Sequence, residues 1–245
     1  MARREQLVMD TFVELADTLA SDYDIADFLH MLVERCQDIL EVTAGGVLVE
    51  GPEGRLRLAT ATSERMQRLE QAELDYEEGP CLDAYRGVTQ VLAEDLREHA
   101  DRWPNMLPHA LDQGLLAAFA FPLRLRGDCI GALNLYRDEP GGFEEEDVRL
   151  GQAFGDVAAI GILQQRKVAD AERRAEQLQH ALDSRVVIEQ AKGVVSERHG
   201  VPLPEAFGLL RGESRNSNRK LRDVCAAVAA GEPLSGSPER SDERS

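Results

Sequence analysis

The sequence predicts two folds in one chain: an α+β domain with an antiparallel sheet and helices, then a long helix leading into an all-α three-helix bundle. Three observations predict this. Short β-rich runs and helical patterns mix without strict strand–helix–strand alternation over the first 165 residues, which favours an antiparallel sheet. A helical pattern then begins near Glu144 and continues without a Pro or a turn cluster to Gly200. Charge divides at the same place. From Leu178 to Gly231 there are eight basic and six acidic residues, about +2, which leaves −19 for the rest of a chain whose net charge is −17.

The elements follow in order. Residues 3–20 set Leu7, Phe12, Leu15 and Leu19 at helical spacing among charges, and "DYDIADFLHMLVERCQDIL" is a second helix capped by Asp22 or Asp24. "AGGVLVEG" and "RLRLATAT" flank "PEG" as a hairpin. "SERMQRLEQAELDY" is helical, "EEGPCLDAYRGV" is a loop entering a short helix, and "TQVLAED" is a strand. "WPNMLPHALDQGL" is a short helix, and "AAFAFPLRLRGDCIGALNLYRD" is two strands about a turn at Arg126-Gly127-Asp128.

The connector spans residues 144–182. A heptad places Phe154, Gly161, Val168, Ala175 and Leu182 at a, with Leu150, Val157, Gln164, Ala171 and Leu178 at d, a short seam rich in small residues. The alternative is a helix packed on its own domain. At about 100° per residue the apolar stripe changes faces near 183–186, because Val187, Ile188, Ala191, Val194 and Val195 lie opposite Leu178 and Leu182. Gly200-Val201-Pro202 stops the helix. "PEAFGLLRGES" is the bundle's second helix, and "NRKLRDVCAAVAAG", capped by Asn216 or Ser217, is its third. The polar, Pro/Ser-rich residues 232–245 read as a disordered tail.

Composition excludes several classes. A pI near 4.7 argues against a protein that coats nucleic acid over its whole surface. Cys36, Cys81, Cys129 and Cys225 form no CxxC pair or zinc-spaced cluster, and reduced, cytoplasmic thiols are the default expectation. "MARREQLVMD" has no apolar signal core, and no apolar run reaches membrane-spanning length, so no membrane association is expected. The GxxxxGK[ST] phosphate loop is absent, and no Ser/His/Asp or paired-carboxylate arrangement can be argued from spacing; no cofactor is assigned.

"ALDSRVVIEQAKGVVSERHGVPLPEAFGLLRGESRNSNRKLRDVCAAVAAG" resembles the ANTAR domain, an RNA-binding three-helix module of bacterial antitermination regulators. It departs mildly from that pattern at Pro204 and Arg215. "EGPCLDAYRG", "RWPNMLPHALDQGL" and "PLRLRGDCIGALNLYRDEPGGFEEEDV" resemble a GAF domain, a sensory module of varied ligands. Asn134 is followed by Leu135, and Phe143 and Asp147 lead to Val148, so the cyclic-nucleotide signature of some GAF domains is incomplete.

The resemblance implies a GAF-like sensory domain over 1–165, with an unidentified small-molecule ligand, and an ANTAR-like RNA-binding bundle over 178–231. It further implies a homodimer that holds a pair of RNA hairpins in nascent transcripts so that a terminator cannot form. The function expected is a signal-responsive transcription antitermination regulator, not an enzyme. Two alternatives stay open: helix-turn-helix DNA binding by 204–230, and a thiol-dependent enzyme on a GAF fold with Cys81 as nucleophile near Cys36 and Cys129.

The candidate RNA-binding residues are Arg185, Lys192, Gly193, Arg198, Ser214, Arg215, Arg219 and Lys220. If Val187, Ala191 and Val194 face the core, Arg185, Lys192 and Gly193 face outward. A glycine beside a lysine lets a phosphodiester approach while the ammonium meets the phosphate. The bland alternative is that these charges only solvate a helix, and that Gly193 lets another helix pack closely. Phe207 is the module's only aromatic, and its pattern is that of a buried residue, so loop-shape recognition is expected rather than stacking.

Overall fold

In a computed structural model, residues 2–125 and 127–235 are described. The chain divides into two compact units, Met1–Lys167 and Val168–Ser245.

The first unit begins with helices α1 (Ala2–Ala20) and α2 (Ile25–Leu40). Asp24 caps α2, its carboxylate accepting from the amides of Ala26 and Asp27, which resolves the choice between Asp22 and Asp24. Strands β1 (Ala44–Glu50) and β2 (Leu56–Ala61) form the hairpin, followed by α3 (Glu64–Tyr76), α4 (Pro80–Gly87) and the short β3 (Val91–Ala93). A 3-10 turn at Leu96–His99 and α5 (Met106–Asp112) lead to β4 (Ala117–Leu125) and β5 (Asp128–Arg137). The five strands lie in the order β2-β1-β5-β4-β3, and every neighbouring pair is antiparallel.

Strand alternation divides the interior in two. One sheet face carries Val47, Phe119, Phe121, Leu133 and Leu135 and packs on α1, α2 and the start of α6 (Glu145–His199) through Leu15, Phe28, Leu32, Phe154 and Ile162. The other carries mainly small residues, Ala44, Ala118, Ala120 and Ala132, beneath Met66 and Leu69 of α3, Cys81 of α4 and Trp103.

Phe154 and Gly161, two a positions of the expected heptad, are buried in this core. The upstream part of the seam is thus a packing face of its own domain. Val168, Leu178 and Leu182 are exposed.

In the second unit, the last turns of α6, α7 (Leu203–Asn216) and α8 (Leu221–Ala229) enclose Ala191, Val195, Ala206, Leu210, Val224, Cys225 and Val228. The third helix starts later than its sequence suggests. Asn216 is still in α7, Ser217 ends that helix, and Asn218 takes a left-handed φ of 52°, so Lys220 precedes α8 with no side-chain cap. Part of the expected disordered tail is packed: Leu234 is buried in the bundle core and the Ser235 hydroxyl donates to Glu213. The remainder, 236–245, lies outside the described residues.

Candidate nucleic-acid interface

Gly193 lies on the face of α6 opposite Ala191, and Arg185 lies two turns earlier, about 80° round the helix from it; both are exposed. A Cβ built on Gly193 meets nothing within 4 Å. Gly208 and Gly212, on the outer face of α7, are equally open. Each helical glycine costs about 1 kcal/mol relative to alanine, and no packing within the bundle requires any of the three. Close packing of another helix of this bundle therefore does not account for Gly193.

Lys192 departs from expectation. Its side chain is 18% exposed and is paired with Glu189 at 2.9 Å, one helical turn back. Its ammonium stands 5.9 Å from the centroid of the Phe207 ring, over which Arg211 also lies at 5.9 Å. Phe207 is half-buried rather than buried, with a cation on either side of it in sequence. Lysine stems cover apolar surface in this way while the charge stays near water.

The other expected contacts divide. Arg198 donates to the carbonyls of Glu232 and Gly231, closing the chain end beyond α8 onto α6. The Ser214 hydroxyl donates to the carbonyl of Arg219, which fixes the α7–α8 turn. These two are occupied structurally. Arg215 is exposed, with Nε on the carbonyl of Arg211, and Arg219 lies 3.9 Å from Glu232. Arg185 and Lys220 are exposed and make no side-chain hydrogen bond or ion pair among the described residues. Arg222, absent from the expected set, is exposed and donates to Nε2 of His180 at 2.9 Å.

The first unit holds a buried polar group that the sequence reading missed. Glu70 and Glu73 are fully buried between α3 and the sheet. The Asn134 amide donates to both oxygens of Glu70 at 3.0 and 2.9 Å. Glu73 pairs with the Tyr136 hydroxyl and accepts from the Cys81 amide at 3.1 Å. Burial, then repulsion from Glu73, pushes Glu70 well above the usual carboxylate range despite the Asn134 amide. Burial raises Glu73 to about 8, opposed by Tyr136 and the Cys81 amide and assisted by Asp83. The signal lay in the spacing: Met66, Leu69, Glu70 and Glu73 follow the i, i+3, i+4, i+7 rule of a buried face.

The same geometry explains "EGPCLDA". Glu78 accepts from the amides at the start of α5, and Asp83 accepts from Arg102 at 2.8 Å and from the Trp103 indole at 3.0 Å. Cys81 is buried, and burial followed by Glu70 and Glu73 pushes its thiol well above the ordinary value, the reverse of a reactive thiolate. Cys36 lies in the core on the opposite sheet face, so the cysteines do not gather around one pocket. Among the described residues, no group of three or more His, Cys, Asp or Glu is placed to hold a metal ion, and no helix is long and apolar enough to cross a membrane.

A GAF domain model matches residues 22–163, more than half of the chain, and an ANTAR domain model matches 176–228. No curated protein matches. Solved structures that share the first unit's fold include the following three. The GAF domain of an Acinetobacter phosphoenolpyruvate-protein phosphotransferase is 16% identical, covering 65% of this chain and 95% of its own, with a TM-score of 0.53. A domain of a putative two-component sensor histidine kinase from Sinorhizobium meliloti 1021 is 18% identical over 62% and 99%, at 0.51. Free methionine-R-sulfoxide reductase from Neisseria meningitidis, solved with its substrate, is 16% identical over 66% and 91%, at 0.50. The domain content is that of a regulator, a sensory module followed by an RNA-binding antitermination module. The chain belongs to the GAF domain family and carries an ANTAR domain after its GAF domain.

Proposed function

We propose that this protein is a signal-responsive antitermination regulator that binds hairpin loops of nascent RNA on the outer face of its ANTAR domain, as a homodimer, with the GAF domain receiving the input. The observation that carries this reading is Gly193, a helix-interior glycine with open space where its Cβ would stand, next to Lys192 and two helical turns after the exposed Arg185. A missing side chain with a cation next to it suits close approach of a phosphodiester. Arg215, Arg219 and Lys220 extend the charge toward the α7–α8 turn. In this reading the Lys192–Glu189 pair opens on binding, and the ammonium exchanges a carboxylate for a phosphate. Arg198 and Ser214 act indirectly by holding the bundle's shape.

The second copy is proposed to meet this one along α6 between Val168 and Val186, where Val168, Leu178, Leu182 and Val186 are exposed with no covering side chains. Small residues between them make the seam marginal, so a few kcal/mol of differential binding is enough to shift it. GAF structural relatives include an enzyme, the methionine sulfoxide reductase, but burial raises the Cys81 thiol well above its ordinary value and Cys36 lies on the other sheet face, which favours regulation over thiol chemistry.

The test compares affinity for a hairpin RNA and a duplex DNA of equal charge at one salt concentration. Hairpin preference is expected, with log affinity falling linearly against log salt. Preference for the duplex overturns the reading in favour of helix-turn-helix DNA binding. Sedimentation with and without RNA tests the seam, and a monomer that binds hairpins tightly removes it from the mechanism.

A further inference from the structure

Glu70 and Glu73 are built into the first unit rather than tolerated there. A Cβ on Gly46 of β1 falls 2.6 Å from Oε1 of Glu70, and one on Gly79, before α4, falls 2.4 Å from Oε2 of Glu73. Two glycines therefore leave the room that the two carboxyls fill. Gly79 also has a φ of 142°, a conformation that side-chain-bearing residues rarely adopt. The sheet face below is otherwise small, and Asn134 Oδ1, buried beside the pair, has no hydrogen-bond partner.

What surrounds the pair is neutral or acidic. From β5 come the Asn134 amide and the Tyr136 hydroxyl. From α4 come the Cys81 amide and thiol, and Asp83, itself tied to Arg102. β1 presents Gly46, β2 contributes the half-buried Leu58 and Thr60, and α5 contributes Met106 and Ala110. His109 of α5 is exposed and reaches Tyr76 at the far end of α3 instead. No arginine, lysine or histidine is a hydrogen-bond or ion-pair partner of either carboxyl among the described residues. Two negative charges one helical turn apart cannot both persist in a dry site without a cation, so the folded domain holds at least one proton there.

We propose that the Glu70–Glu73 pair is a proton-operated latch: protonated, it seats α3 on the sheet, and loss of the proton in alkaline solution loosens α3 and α4 together. The proton is then an input of the GAF domain, an inference that rests on that domain being the sensor. α4 is included because its first amide binds Glu73 and its Asp83 holds Trp103, the chain's single tryptophan. Folding linkage has a definite sign. Glu73 is raised from 4.5 to about 8, so its contribution to stability is complete below 4.5 and is lost as pH rises to 8. Across that window the folded-to-unfolded ratio falls by up to about tenfold per pH unit for one such group.

The full chain provides its own reporter, because Trp103 shares a core with the pair. Its fluorescence and near-ultraviolet circular dichroism are expected to change with a midpoint near pH 8. Glu73→Gln keeps an oxygen for the Cys81 amide, turns its amide nitrogen as a donor to the Tyr136 oxygen, and cannot titrate, so the transition near pH 8 should vanish. If Glu73→Gln fails to fold, infrared spectroscopy reads the wild type directly: a protonated-carboxyl band is expected at neutral pH and should disappear in alkali. A flat Trp103 signal from about pH 6 to 10, or no such band at neutral pH, overturns the latch. Hairpin affinity measured on the same samples separates the two readings. A Trp103 transition without a change in affinity upholds the latch and counts against the sensor reading. An unresponsive Trp103 with normal hairpin binding overturns the latch and leaves the RNA-binding reading standing.

Discussion

Helix α6 contains glycines of two kinds, and the difference separates the chain's two jobs. In the GAF domain, a Cβ on Gly151 falls 2.3 Å from Cζ of Phe121, and one on Gly161 falls 2.6 Å from Cε1 of Phe28. These glycines exist because the chain's own aromatic rings occupy the space. In the ANTAR domain, Gly193 has no neighbour within 4 Å of such a Cβ, and the same holds for Gly208 and Gly212 of α7. The helical cost of about 1 kcal/mol each is offset internally in the first case and not in the second. A glycine whose space is filled from within reports packing. One whose space is empty suits a partner from outside.

Alanine substitutions break or sharpen this contrast. The largest effect is expected from Gly151→Ala and Gly161→Ala, where overpacking against Phe121 and Phe28 should cost about 1–3 kcal/mol in denaturant unfolding. Gly193→Ala should do the opposite, stabilising the ANTAR domain by about 1 kcal/mol. The same variant should weaken hairpin binding, and a gain in both properties would remove the glycine from the interface. Arg198→Ala should cost about 1 kcal/mol of stability through its lost bonds to the carbonyls of Gly231 and Glu232. It should leave the salt dependence of RNA binding unchanged. The smallest stability effect belongs to exposed Arg185→Ala, within about 0.5 kcal/mol of zero, with the salt slope reduced by about 1. Equal slopes for Arg185→Ala and Arg198→Ala would erase the distinction between free and occupied arginines.

The polar interiors differ as well. Among the described residues the bundle core is apolar apart from the Cys225 thiol, whereas the small-residue sheet face of the GAF domain holds two carboxyls, an amide and a phenol. A buried group that titrates couples folding to pH; an apolar core does not.

Periodicity and composition by themselves determined much of this protein. The alternation in β4 and β5, the stripe change before Val187 and the placing of Gly193 away from Ala191 all follow from repeats of 2.0 and 3.6 residues. The charge division between the two parts was legible for the same reason, since charge needs no partner to be counted. Partners were decided by the tertiary structure alone. A helical wheel gives the direction of Lys192 but not the Phe207 ring beside it, and it does not show that Arg198 is already engaged by two carbonyls from beyond α8. Nor does it explain why Glu70 and Glu73 sit on a core face. Their side-chain donors come from β5, more than sixty residues along the chain, the Cys81 amide comes from the neighbouring α4, and their room comes from Gly46 and Gly79. Local sequence sets where a side chain points. Whether it arrives at water, a carbonyl or another acid depends on segments that only folding brings together.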